Sequence, residues 1–190
     1  LTREAPWSTT FDALVADARR RWDAVCGAIE VPAPEDPRLA LAHEELCATI
    51  AGDLYRLHLY PSDAAEDAGE PGAPDWRYAD VFAPPRPHGE TETGAPVARG
   101  RLVVGNGYWD TYRTVWPLLA LLDPDETGRL LDGQLEQVRR GGWTARWSAP
   151  GYVDCMVGTS SDQIHADAAT WDVPGVDLEL AFEAGWRNAC

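Results

Sequence analysis

Lysine is absent from these 190 residues: all 16 basic side chains are arginine, set against 31 acidic ones, for a formal net charge of −15. Such a field repels polyanions. The two arginine runs, Arg19-Arg20-Arg21 and Arg139-Arg140, read as solvated helix faces, so no nucleic-acid or phosphate partner is expected. Cysteine is sparse, and Cys26, Cys47, Cys155 and Cys190 lack the C-x-x-C spacing of a zinc ribbon or thioredoxin-type motif. They do not fix the compartment. No window approaches the roughly 18 apolar residues of a membrane span. Also missing are a phosphate-cradling Gly-rich loop, an EF-hand pattern, a dinucleotide fingerprint and any visible repeat. Neither an initiator Met nor a usual signal peptide opens the chain at Leu1, which suggests a processed or excised chain. An amphipathic pattern over residues 176–187 that reaches Cys190 without a Gly or Asn cap adds to the expectation of a piece of something longer.

What is present is 45% hydrophobic content, enough for one substantial core, and nine tryptophans, most of them expected in that core. Helical periodicity dominates. A first helix is predicted with Thr9 as its cap and Phe11, Leu14, Val15, Ala18, Trp22, Val25 and Ile29 on one face. Asp36-Pro37 supplies a cap and first-position proline for a second, striped by Leu39, Ala42, Leu46, Ile50, Leu54 and Leu57. Residues 61–107 hold seven prolines and read as one long loop with at most a small hairpin; loops of that length are usually functional or mobile. A third helix is predicted from Tyr108 to Leu122 with a bend at Pro117. A fourth starts at Asp123-Pro124 and ends at Gly141-Gly142, a fifth covers residues 160–169, and a sixth starts at Asp177. Six helices without a convincing strand series predict an all-α array of helical hairpins.

The densest chemistry lies in Tyr108-Trp109-Asp110-Thr111-Tyr112-Arg113. On a helix Asp110 and Arg113 share a face, and an ionisable pair between aromatic rings suits a sugar, which offers hydroxyls at its rim and C–H groups on its faces. A partly buried ion pair beside core aromatics fits the same spacing. A second cluster runs from Trp143 through Trp147 to Tyr152, followed by Met156-Val157-Gly158, Asp162 and His165-Ala166-Asp167-Ala168. Asp162 and Asp167 are five apart, roughly 140° around a helix, so they cannot both face one ligand from mid-helix. Asp162 suits either a helix cap or the lip of a site. Ser160, Ser161, Asp162 and His165 do not make a hydrolase triad, because no Gly-x-Ser-x-Gly elbow is present. His43 and Cys47 share a helix face but lack a second pair, so two core side chains are the better reading than a metal site.

Taken in order, several stretches resemble glycoside hydrolase family 92, the calcium-dependent exo-acting α-mannosidases. They are the helix at residues 20–29 with Trp22, the helix at residues 46–61, Trp109-Asp110-Thr111-Tyr112-Arg113 with Pro117, Gly142-Trp143 to Trp147, and Met156-Val157-Gly158 with Ala166-Asp167-Ala168. The resemblance runs through nearly all of the chain. It implies a secreted or cell-envelope enzyme with an N-terminal β-sandwich and an (α/α)6 barrel. Residues 1–190 would form the N-terminal part of that barrel, six of its twelve helices, with the long loop at 61–107. The implied mechanism is inverting, with a general acid and a general base on opposite faces of the sugar. The implied Ca²⁺ holds mannose O2 and O3 and takes six to eight oxygen ligands. The acid, the base and most calcium ligands are expected beyond Ala168, outside this chain, so no catalytic residue and no metal ligand is assigned. Ala168-Ala169-Thr170-Trp171 also departs from the family's usual Lys-Gly continuation. The expected function is release of mannose from α-mannosides, with α-1,2 linkages foremost and a mannose-containing glycan as partner. Trp109, Asp110, Arg113, Trp147, Asp162 and Asp167 would line the mannose pocket. The alternative is a non-catalytic helical carbohydrate-binding or interaction module that keeps the aromatic cleft without acid–base machinery.

Overall fold

A computed structural model describes residues 10–70 and 72–190, and the chain divides into two compact units, Leu1–Tyr60 and Pro61–Cys190. The first is a helical hairpin of α1 (Phe11–Cys26), a 3-10 turn (Pro37–Leu39) and α2 (Ala40–Leu57). The Thr9 cap expected for α1 lies outside the described residues. Thr10 does that work here, its hydroxyl accepting from Ala13 N at 3.2 Å, which satisfies one of the free amides of the first turn. Asp36 accepts from Arg38 N at 2.9 Å, but with Pro37 it opens the 3-10 turn and α2 follows from it. Trp22 and Tyr55 join the helices with ring centroids 4.6 Å apart. His43 Nε2 lies 3.0 Å from the Val31 carbonyl and 3.6 Å from Cys47 Sγ.

In the second unit residues 61–107 are not one loop. β1 (Ser62–Asp63) pairs with β5 (Val103–Val104), and β2 (Glu66–Asp67), β3 (Trp76–Ala79) and β4 (Val97–Arg99) form a three-stranded antiparallel sheet. β6 (Asn106–Gly107) pairs with β7 (Trp147–Ser148). The all-α expectation is therefore corrected to a mostly helical architecture with short strands. Strands of two to four residues are too short to print an alternating pattern. Side chains hold them in place. Asp67 accepts from Gly69 N at 2.8 Å and Asp75 N at 2.9 Å to close the β2–β3 turn. Asp63 receives Arg101 Nε at 2.7 Å and Arg129 Nη1 at 3.0 Å. Tyr78, Ala98 and Leu102 form the small core beneath.

The helices of this unit are α3 (Tyr108–Thr111), α4 (Val115–Leu122), α5 (Pro124–Gly141), α6 (Ser160–Thr170) and α7 (Leu178–Ala189). The expected third helix breaks at residues 112–114, not at Pro117. Pro117 is the third residue of α4, in the first turn, where amides have no intrahelical acceptor to lose. α5 follows the sequence closely. Asp123 accepts from Glu126 N at 3.0 Å, and Gly142, at φ 86°, takes the left-handed conformation that ends a helix cheaply only at glycine. Leu130, Leu131, Leu135 and Val138 are buried, and α5 packs on α4, α7 and β5. Leu135 and Val138 meet Ala181 and Ala184 of α7, where Asp177 caps by accepting from Leu180 N at 3.1 Å. α4 with α5, and α6 with α7, make the hairpins on which the site is mounted.

Candidate functional site

A buried polar chain sets the short α3. Thr111, 4% exposed, has its hydroxyl 3.0 Å from both Asn106 Oδ1 and the Gly107 carbonyl, and accepts from Trp116 Nε1 at 3.2 Å. Asn106 N in turn donates to Ser148 Oγ at 3.4 Å. Buried polar groups of this kind are costly unless paired. Together they fix the end of β6, the start of α4 and the pairing with β7, and so aim the residues between them.

Those residues are Trp109 and Asp110, both exposed, Trp109 at 53%. Gly107 pairs with Trp147 in the β6–β7 ribbon, and the Trp147 indole lies against Gly107 beside the Asp110 carboxylate. The two aromatic clusters are thus one neighbourhood. Among the described residues no ion pair or hydrogen bond engages the Asp110 carboxylate, although Thr114 Oγ1 donates to its backbone carbonyl at 3.3 Å. Arg113 does not pair with Asp110; it lies in the break after α3, exposed, with its guanidinium 4.8 Å from the Tyr112 ring centroid. Such cation–π contact holds a charge without neutralising it. An exposed carboxylate beside an indole can accept sugar hydroxyls while the ring meets the sugar's C–H face.

The two aspartates of α6 face different neighbours, as their spacing requires. Asp162 does not cap the helix. Its carboxylate accepts from Asn188 Nδ2 of α7 at 3.1 Å, and it borders a groove of about 330 Å³ between α6 and α7 that also includes His165, Phe182 and Trp186. Asp167 sits on the side of Trp116, Pro117 and Trp171. His165 is 5% exposed, its Nδ1 2.8 Å from the Ser161 carbonyl. Burial pushes the imidazole below its ordinary value, against weaker upward pulls from that carbonyl and from Asp162. It belongs to the packing of α6.

The segment carrying Trp147 is pinned from several sides that sequence reasoning missed. Tyr152 Oη accepts from Trp143 N at 3.0 Å and faces the carbonyls of Trp143 at 2.6 Å and Gln137 at 2.9 Å. Arg146 donates to the Met156 carbonyl at 3.0 Å, and Arg187 of α7 donates to the Gly142 carbonyl. No local pattern signals these contacts, because each joins residues distant in sequence or a side chain to an irregular backbone.

The pattern of the glycosyl hydrolase family 92 catalytic domain matches residues 1–190. The chain belongs to that family. The fold also resembles a solved family GH92 inverting mannosidase from Bacteroides thetaiotaomicron. The TM-score is 0.73 at 26% identity, over 94% of this chain and 21% of that one. This family 92 chain therefore spans about a fifth of that enzyme's length. No curated protein sequence matches it. Family 92 implies calcium, but among the described residues no group of three or more His, Cys, Asp or Glu is placed to hold a metal ion. They do not fit a cation that wants six to eight oxygens, and no step is assigned to it. No described helix is long and apolar enough to cross a membrane.

Proposed function

We propose that this chain forms part of the catalytic domain of an exo-acting, inverting α-mannosidase and supplies one wall of its mannose site. Trp109, Asp110, Arg113 and Trp147 contact the terminal sugar, whereas Asp162 and Asp167 face different sides of α6 and are not both assigned to it. The observation that carries this reading is the Asp110 carboxylate, exposed and unengaged among the described residues, next to Trp147 in a family 92 chain. Asp110 and Arg113 hold sugar hydroxyls through charge-assisted bonds, the stronger kind. Trp147 and Trp109 bound the ring face. General acid, general base and calcium ligands are not assigned to residues of this chain. The proposed substrate is an α-1,2-linked mannoside, the proposed activity is calcium-dependent, and the proposed location is the cell envelope or exterior.

The test is mannose release from α-1,2-mannobiose by the purified chain and by the full-length gene product, with calcium and with excess chelator. Chelator-sensitive release by the full-length product supports the reading. Saturable mannoside binding with no product from either protein supports a carbohydrate-binding module instead. Neither binding nor release from either protein sinks both.

A further inference from the structure

Gly107 has φ −94° and ψ 94°, an extended conformation open to any residue. Its backbone gives no reason for glycine. Space does: a Cβ at this position would stand 2.3 Å from Trp147 Cζ2, 2.5 Å from Trp147 Cε2 and 2.6 Å from Asp110 Oδ2, all far inside the carbon contact distance of about 3.5–4 Å. The indole cannot step aside freely. Trp147 is paired with Gly107 across β6–β7, its carbonyl accepts from Val153 N at 2.9 Å, and its Nε1 is buried. Asp110 is held by α3, which the Thr111 bonds to Asn106 and Trp116 fix in turn.

We propose that Gly107 is a positioning residue of the sugar site. It touches no substrate; its missing side chain lets the Trp147 indole lie against the strand and brings the Asp110 carboxylate to the indole edge. Ring wall and hydrogen-bonding group then meet the same ligand. The role as a sugar-site residue rests on the mannoside reading above, whereas the seating of Trp147 does not, and the two are separable by experiment.

The variant is Gly107→Ala in the full chain. Hydrogen exchange of the Trp147 indole N–H is followed by NMR, with the resonance assigned through Trp147→Phe, and methyl α-mannoside is titrated in parallel. The expected result is exchange at Trp147 at least about tenfold faster with the other indoles unchanged, and roughly ten- to hundredfold weaker mannoside binding, the scale of an ångström-level misplacement. Unchanged exchange at Trp147 overturns the seating. Accelerated exchange with unaltered mannoside affinity overturns the role in the sugar site. If neither the wild-type chain nor the wild-type full-length gene product binds mannoside, the proposed function fails, and exchange alone decides the seating. Should all indoles accelerate together, the denaturation midpoint is read in a Trp147→Ala background. No further loss on adding Gly107→Ala shows that glycine acts through the indole; an equal loss in both backgrounds overturns the proposal.

Discussion

Asp110 and Thr111 are neighbours in sequence with opposite expected behaviour, and replacing each in turn separates binding from folding. The Asp110 carboxylate has no hydrogen-bond or ion-pair partner among the described residues, so Asp110→Ala removes no polar interaction of that group among them. Surface changes of this kind stay within about 0.5 kcal/mol of the parent stability. If the carboxylate accepts a sugar hydroxyl, the variant loses a charged hydrogen bond of about 1.5–3 kcal/mol. That is about a 10- to 150-fold fall in mannoside affinity or in kcat/KM. Thr111→Val reverses the pattern. It removes the acceptor of Trp116 Nε1 and a donor toward Asn106 Oδ1, leaving buried polar atoms at about 1–3 kcal/mol. Urea midpoints report stability, and tryptophan fluorescence with methyl α-mannoside reports binding. Unaltered affinity in Asp110→Ala, or a stability loss as large as that of Thr111→Val, would refute the assignment.

Gly128 is expected to resist substitution, because a Cβ there would stand 1.7 Å from the Pro174 carbonyl oxygen. An overpacking cost of about 1–3 kcal/mol or more exceeds the gain of about 1 kcal/mol from alanine's helix propensity, so Gly128→Ala lowers the urea midpoint; a raised midpoint would show that the 173–175 segment yields. His165 gives a pH signature. Its folded pKa lies below its ordinary 6.5, so as pH falls through that value the unfolded chain takes up the proton first and stability drops. Above it both states are neutral and the contribution is flat. His165→Gln should reduce the stability loss between pH 7.5 and 5.5, and parallel pH curves for the two proteins would contradict the buried neutral imidazole.

The helix ends were legible where their signals are local. Asp123 with Pro124, Gly142 and Asp177 mark their boundaries within a few residues, since a cap involves only its own first or last turn. Asp110 and Arg113 do not form the pair that their helical spacing suggests. The helix stops at Thr111, and Arg113 turns to the Tyr112 ring. The strands were hidden by their brevity, and residues 106–107 and 147–148 find each other only through the fold. Gly107 carries no distinguishing signal, because a glycine needed for space looks the same in sequence as one needed for conformation.

The β6–β7 ribbon also bears on when Trp147 and Gly107 can meet during folding. Asn106 and Ser148 are 42 positions apart, and closing a loop of that length costs about 3 kcal/mol of chain entropy before two short strands return anything. α4 and α5 lie inside the loop and must shorten it first. Assembly of Trp147 against Gly107 is therefore expected to be a late step, on the downhill side of the folding barrier. Weakening the ribbon should hasten unfolding and leave the folding rate nearly unchanged.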